Sequence, residues 1–293
     1  FKQYIDTGSE AGEYNPKTLK EHWNSDHMKS VRKRMIAGET LPECEVCNHK
    51  LLNTNVYRDY FNQMFKHKKD ELVAATAEDG TLETLPISFD YRLKNTCTFK
   101  CRMCGPMLSS AWEAEARQND KKTFENNNPW AAQPVRSQIR NFQQGQATNE
   151  LWDAIRERRI EEIYWVGGEP LDWPEHWEMM QYMVDDGTAK DVYVRYNTNL
   201  SKLEYKGYSL LNLLPHFKDW QICASMDATG LIAEYIRTGL NYSNWRDNFK
   251  QLRSMTTHRR QLRLDLTITL PGMVNLYDVV WLAHNLDVDI LSK

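Results

Sequence analysis

The sequence predicts an α/β protein: a partial (β/α)6 TIM-like barrel with a small N-terminal metal-binding extension. Three observations carry this reading. From about residue 86 to residue 293, short β-rich runs alternate with amphipathic helical runs, the pattern of βα units on a parallel sheet. Six such strands suit a partial barrel. Residues 1–85 differ in composition, lack the alternation and carry a cysteine pair of their own.

The elements follow in chain order. A helix-like run covers residues 26–37 and leads into Leu41-Pro-Glu-Cys44-Glu-Val-Cys47. The strands are expected at 87–93, 162–166, 192–196, 221–225, 262–270 and 288–291. Helices fall between them at 107–118, 175–185, 245–255 and 276–286. The second of these starts just after Asp172 and Pro174, and proline in the first turn is a start signal because its missing N–H has no helical partner there. The last is entered through Asn275, a suitable cap. Residues 119–149 are rich in Asn and Gln, carry two prolines and read as a long loop with a poorly defined helix.

The bulk properties narrow the function classes. A chain of 293 residues allows one large domain, or a barrel with a small appendage. A net charge of −3 argues against a general nucleic-acid surface, and the runs Arg156-Arg158-Arg159 and Arg259-Arg260 read as solvated faces. No apolar run approaches the ~18 residues that span a bilayer, and no secretory pattern follows Phe1, so the expectation is a soluble cytoplasmic protein without a membrane partner. Six cysteines, mostly in CxxC-type spacings, point to metal binding in a reducing compartment rather than to a disulfide framework. The start at Phe1 and the strand-like stop at Ile290-Leu-Ser-Lys293 read as a fragment.

Two motifs carry the chemistry. The first is Cys97-Thr-Phe-Lys-Cys101-Arg-Met-Cys104. Thiolates are strong iron ligands, and a closed zinc or cubane site wants a fourth protein ligand, so three cysteines leave one metal corner open. The alternative, a zinc ribbon shared with Cys44 and Cys47, needs a linker far longer than the usual ~15 to 20 residues. Lys100 and Arg102 either lower the thiol pKa values by their charge or are solvated loop residues. The second motif is Trp165-Val-Gly167-Gly168-Glu169-Pro170. Its glycines also suit a turn with unusual backbone angles. Glu169 can accept from an ammonium group or serve a helix start.

Position reinforces the motifs. Parallel βα barrels hold ligands at the carboxyl ends of their strands. The cysteine loop leaves strand one, Gly167 to Pro170 leaves strand two, Asn197-Thr-Asn199 leaves strand three and Ser225-Met-Asp227 leaves strand four, all on one rim. Turn formation is the plain alternative for Asn197, Asn199, Ser225 and Asp227. Cys223 reads as a small core residue, and the ten tryptophans belong to core and loops.

In this order the two motifs resemble the radical S-adenosylmethionine (radical SAM) superfamily, over about residues 86–291 and more weakly over 25–50. The resemblance implies that Cys97, Cys101 and Cys104 hold a 4Fe-4S cluster whose fourth iron is chelated by the amino and carboxylate groups of SAM. Gly167, Gly168, Glu169 and Pro170 would receive the methionine amino group, and Asn197 and Asn199 would supply polar contacts. Ser225 and Asp227 would bind the SAM ribose or carboxylate, while Arg237 would pair with the carboxylate or the substrate. Met103 departs from the family, which often has an aromatic residue there, near the adenine. Cys44 and Cys47 resemble part of a twitch or SPASM extension with an auxiliary iron-sulfur cluster. A half zinc knuckle completed by His49, or a vestigial pair, are the other readings. The implied reaction takes one electron from a donor such as flavodoxin or ferredoxin and makes a 5'-deoxyadenosyl radical that removes a hydrogen atom from substrate. A peptide or protein is the first choice of substrate. A small molecule, RNA, or a non-catalytic zinc or iron-sulfur module are the alternatives.

Overall fold

Six short strands lie side by side in chain order, and every pairing among them is parallel: β1 (Ser88–Tyr91), β2 (Glu162–Trp165), β3 (Tyr193–Thr198), β4 (Asp219–Ser225), β5 (Leu262–Leu266) and β6 (Asp289–Ser292). The structure, a computed structural model, describes residues 17–45, 49 and 57–292. Each parallel neighbour needs a crossover, and sequential order means that each crossover returns beside the strand it left. This is the connectivity of a partial TIM-like barrel. The chain divides into two compact units, one ending at Pro86 and one starting at Ile87.

The two faces of the sheet differ because side chains alternate along a strand. On one face Phe89, Ile163, Trp165, Val194, Tyr196, Ile222, Ala224 and Leu264 are all buried. Helices α1 (Ser110–Asn127), α2 (Val135–Phe142), α3 (Thr148–Arg156), α4 (Pro174–Asp185), α5 (Gly230–Ile236), α6 (Tyr242–Met255) and α7 (Leu276–Leu286) complete the second unit, with shorter turns between them. Contact of α4 with the apolar face is direct: the His176 ring meets Trp165 edge-on at 4.8 Å, and its Nε2 is 2.9 Å from the Tyr196 hydroxyl. Burial pushes His176 down to about 3, so this ring is a neutral core member. The opposite face carries Glu162, Tyr164, Arg195, Asn197, Cys223, Ser225 and Asp265, which the register sets in neighbouring rows.

Three expectations change. Residues 119–149 are largely helical: α1 continues past a break at Asp120, and a short turn at Pro129–Ala131, α2 and a π turn at Gln143–Ala147 lead into α3. Tertiary contact overrides the local preference. Arg117 donates to Glu113, Glu125 and the Ala131 carbonyl, while Phe124 and Ala131 are buried. The fifth strand ends at Leu266 rather than 270, because the Thr269 hydroxyl caps a turn at Leu270–Met273 by accepting from the Gly272 N–H at 3.1 Å. Asn275 does not cap α7 with its side chain; its Oδ1 instead accepts from the Thr229 N–H and hydroxyl.

The first unit holds helices Leu19–Trp23, Asp26–Ile36, Tyr57–Met64 and Lys69–Ala75. Thr18 and Glu21 form a reciprocal capping box, which satisfies two otherwise orphaned donors. Asn24 and Arg32 tie the helices to the Leu82 backbone and the Gly80 carbonyl. Cys44 ends a short turn at Pro42–Cys44 and is half-buried; Cys47 lies outside the described residues. Among the described residues no helix is long and apolar enough to cross a membrane.

Ile163 is fully buried in the second strand, on the face the helices cover. Ile163→Ala should therefore cost about 2–5 kcal/mol by lost burial and cavity formation. Urea denaturation measures it, and a loss below about 1 kcal/mol would contradict this core assignment.

Candidate functional site

The cysteine loop is anchored before any ligand is considered. It runs from the end of β1 to the start of α1, and the first turn of α1 is tied back to it. The Ser109 hydroxyl caps α1 by accepting from Trp112 N–H at 3.3 Å and donates to the Phe99 carbonyl at 2.6 Å. Ser110 N–H donates to the Asn95 carbonyl at 2.7 Å, and its hydroxyl accepts from Cys97 N–H at 3.1 Å. Trp112 Nε1 donates to the Cys101 carbonyl at 2.9 Å. Asn95 is held in turn by the buried Glu113, which also pairs with Arg117 and Arg136.

The Gly-Gly turn after β2 lies directly on this loop. Gly168 N–H donates to the Lys94 carbonyl at 3.0 Å and Glu169 N–H to the Thr96 carbonyl at 2.7 Å. A Cβ on Gly168 would fall on the Thr96 carbonyl oxygen and within 2.6 Å of the Asn95 carbonyl carbon. Gly167 has φ 139°, which L side chains rarely adopt. One glycine answers to conformation, the other to contact.

Glu169 is buried and joins two strand ends. Its carboxylate accepts from Leu171 N–H at 3.1 Å, the Thr198 hydroxyl at 2.6 Å and Asn199 N–H at 2.6 Å. The helix-start reading is thus realised in the short turn Pro170–Asp172, with Pro170 in its first position. Burial pushes the Glu169 carboxyl up to about 7, against the three donors that favour its charged form.

Beyond β3, Asn199 is also buried. Its Nδ2 reaches to 3.9 Å from Cys97 Sγ, and its Oδ1 accepts from Ser201 N–H. Asn197 joins the polar face of the sheet: its Oδ1 accepts from the Tyr164 hydroxyl at 2.7 Å, and its Nδ2 donates to Asp265 at 2.6 Å. Ser225, half-buried, is in register with Asp265 on that face. Lower on it, Arg195 donates to Glu162 at 2.6 Å, with Glu162 only 1% exposed.

Asp227 and Arg237 are brought together as a buried pair, their closest atoms 2.7 Å apart. Asp227 also accepts from Thr267 N–H at 2.9 Å. Arg237 and Thr238 form a small antiparallel ribbon with Lys100 and Cys101, in which Arg237 stands opposite Cys101. Its Nη1 lies 3.8 Å from Cys101 Sγ. Lys100 and Arg102, the cations adjacent in sequence, are engaged elsewhere: Lys100 with Glu115, and Arg102 with the Tyr235 carbonyl and ring. Of the two readings open for Lys100 and Arg102, these contacts give no support to the one that sets them against the thiols. Arg237 was singled out in the sequence by resemblance, and its place beside Cys101 had no local signal, because the ribbon joins positions 136 residues apart. Asp265, the partner of Asn197, was also missed, since a lone acid within a strand gives no motif.

None of the described cysteines forms a disulfide. Cys97 and Cys101 are buried; Cys104 is half-buried with its Sγ toward the Gly105 carbonyl. Burial pushes the Cys97 thiol up to about 12, opposed by a Phe99 N–H that favours the thiolate. Burial also raises Cys101, opposed by Arg237. The donor chemistry fits an iron-sulfur cluster: three soft sulfurs on one loop, none in a disulfide, beside a fixed guanidinium. Among the described residues no group of three His, Cys, Asp or Glu side chains is disposed to hold a metal ion. Cys223, in register with Asn197 and Arg263 on β4, is buried as expected of a small core residue.

No protein-family profile matches the chain, and no curated protein matches it. Among solved structures it is similar to Streptococcus suis SuiB bound to S-adenosylmethionine, with 12% identity and a TM-score of 0.44 over 94% of this chain and 55% of that one. It is also similar to TYW1 with a lysine-pyruvate adduct bound, with 15% identity and a TM-score of 0.36 over 67% of this chain and 61% of that one. The chain thus spans less than two thirds of the length of either.

Two outcomes follow from the Gly-Glu turn. Gly168→Ala should destabilise the protein by at least about 1–3 kcal/mol, since backbone rather than a flexible side chain must move; an unchanged urea midpoint would contradict the close approach. For Glu169, a folded-state pKa near 7 against an ordinary 4.5 means that its protonated form is favoured by folding. That contribution is complete below about 4.5 and is lost as pH rises through about 7. Wild type should lose stability relative to Glu169→Gln between those values in metal-free urea titrations, and parallel pH profiles would refute the shift.

Proposed function

We propose that this chain is a radical SAM enzyme that cleaves S-adenosylmethionine reductively at a 4Fe-4S cluster. The observation that carries the reading is the packing of the Gly167-Gly168-Glu169-Pro170 turn against the backbone that leads into Cys97. Two motifs of unrelated composition, 63 residues apart from Cys104 to Gly167, meet at the same strand ends.

Cys97, Cys101 and Cys104 would hold the cluster, leaving one iron for the amino and carboxylate groups of SAM. When reduced by one electron, such a cluster supplies the electron that splits the sulfonium into methionine and a 5'-deoxyadenosyl radical, and the hard chemistry belongs to the cofactor. The protein's share is ligation, orientation and exclusion of water. Thr198 and the Asn199 and Leu171 amides hold Glu169 fixed. With three donors engaged, Glu169 retains limited acceptor capacity for the SAM ammonium and acts chiefly by shaping the turn. Ser225, Asn197 and Asp265 offer polar groups on the sheet face beside that rim for SAM or substrate.

The electron comes from a one-electron donor such as flavodoxin or ferredoxin. The substrate is a peptide or protein, and an auxiliary iron-sulfur cluster involving Cys44 and Cys47 forms part of this reading. Both extend the resemblance to the twitch and SPASM group, with residues 1–85 as the extension and 86–293 as the barrel.

Anaerobic reconstitution with iron and sulfide, followed by reduction and assay of 5'-deoxyadenosine, tests the proposal. Wild type should form it, and Cys97→Ala, Cys101→Ala and Cys104→Ala should each abolish its formation. Retained 5'-deoxyadenosine in any of the three would refute the cluster assignment. Zinc uptake without SAM cleavage would instead favour a non-catalytic module.

A further inference from the structure

We propose that Arg237 is a positioning residue that orients the Cys101 sulfur and sets the reduction potential of the cluster, a role that rests on the radical SAM reading. Geometry carries it. Arg237 is 8% exposed, and its Nη1 lies 3.8 Å from Cys101 Sγ. Two other nitrogens of the fork face one carboxylate: Nε lies 2.7 Å from Asp227 Oδ2 and Nη2 donates to Asp227 Oδ1 at 3.0 Å. Asp227 is itself 1% exposed and fixed by Thr267 N–H. Because guanidinium is a rigid planar fork, fixing two of its nitrogens fixes the third. The ribbon secures the approach, since Arg102 N–H donates to the Ile236 carbonyl at 2.9 Å and Cys101 stands opposite Arg237.

The direction of the effect follows from charge. Reduction adds one electron to the cluster and changes no bond at Arg237. An N–H donor and a nearby positive charge stabilise the more negative, reduced state, so they raise the potential. The buried carboxylate of Asp227 opposes this from one step further away.

The test uses full-length chain reconstituted anaerobically with iron and sulfide, in which potential is read by spectroelectrochemical titration and cluster type by electron paramagnetic resonance. Arg237→Gln should assemble a 4Fe-4S cluster whose potential is more negative than wild type, a ten-fold loss in the reduction equilibrium corresponding to 59 mV for one electron. Arg237→Lys, which keeps the charge but loses the fork, should fall between. Asp227→Asn should shift the potential the opposite way. Since removal of one buried partner strands the other, the Arg237→Gln/Asp227→Asn double variant provides a neutral pair if the single variants fail to fold, and its potential should also lie below wild type. Equal potentials in wild type and the Arg237 variants, or shifts of the same sign for Arg237→Gln and Asp227→Asn, would overturn the role of Arg237 alone. A wild-type protein that assembles no 4Fe-4S cluster would overturn the reading beneath it.

Discussion

The backbone-to-backbone approach of Gly168 to Asn95 and Thr96 is the constraint on which the site depends. Two loops that leave neighbouring strands touch without side chains between them, and two amide hydrogen bonds join them. The contact tolerates no Cβ, so the loop bearing the cysteines and the turn bearing Glu169 behave as one piece. Glu169 extends the piece to the third strand through Thr198 and Asn199, and Asn199 returns to Cys97. A closed circuit of short contacts thus spans β1, β2 and β3 at their carboxyl ends. Rigidity of this kind would serve the proposed chemistry, because a site that positions a reacting group loses efficiency when its supports are loose.

A second circuit spans the other side of the rim. The Cys101 ribbon, Arg237, Asp227 and Thr267 connect the cysteine loop to the ends of β4 and β5. Buried ion pairs are seldom net stabilisers, yet losing one partner costs about 3–5 kcal/mol. The pair is better understood as specifying geometry than as strengthening the fold. It also ties the cysteine loop to the β4 and β5 side of the sheet as well as to β1, β2 and β3.

The two faces of the sheet divide the labour. Parallel strands are commonly apolar on both faces, because helices or a packed barrel interior cover them. Here only the helix-covered face follows that rule. The other bears Glu162 with Arg195, and Tyr164 with Asn197 and Asp265, each group hydrogen-bonded to a neighbour. Polar groups inside a sheet are costly unless satisfied, and each of these has at least one hydrogen-bonded neighbour on the same face.

The alternation of strands and helices, the three-cysteine spacing and the Gly-Gly-Glu-Pro turn were legible in the sequence because each is a local pattern tied to local chemistry. Period-two and helical spacing report burial, so the six strands and α4, α6 and α7 could be read to within a few residues. The glycines could be read because a turn that lacks room for side chains must be written in residues that have none. Tertiary structure alone decided the rest. Residues 119–149 became helical through Arg117, Glu113 and the burial of Phe124, against the preference of their Asn and Gln. Arg237 stands beside Cys101 while Lys100 and Arg102 pair elsewhere, and the Asn275 side chain turned to Thr229 instead of capping. The last two of these outcomes turn on pairings between residues far apart in the chain, and the first on packing that local preference does not record. Local sequence records what a residue can do, whereas which distant partner satisfies a buried charge or an orphaned carbonyl is settled only when the strands have taken their places.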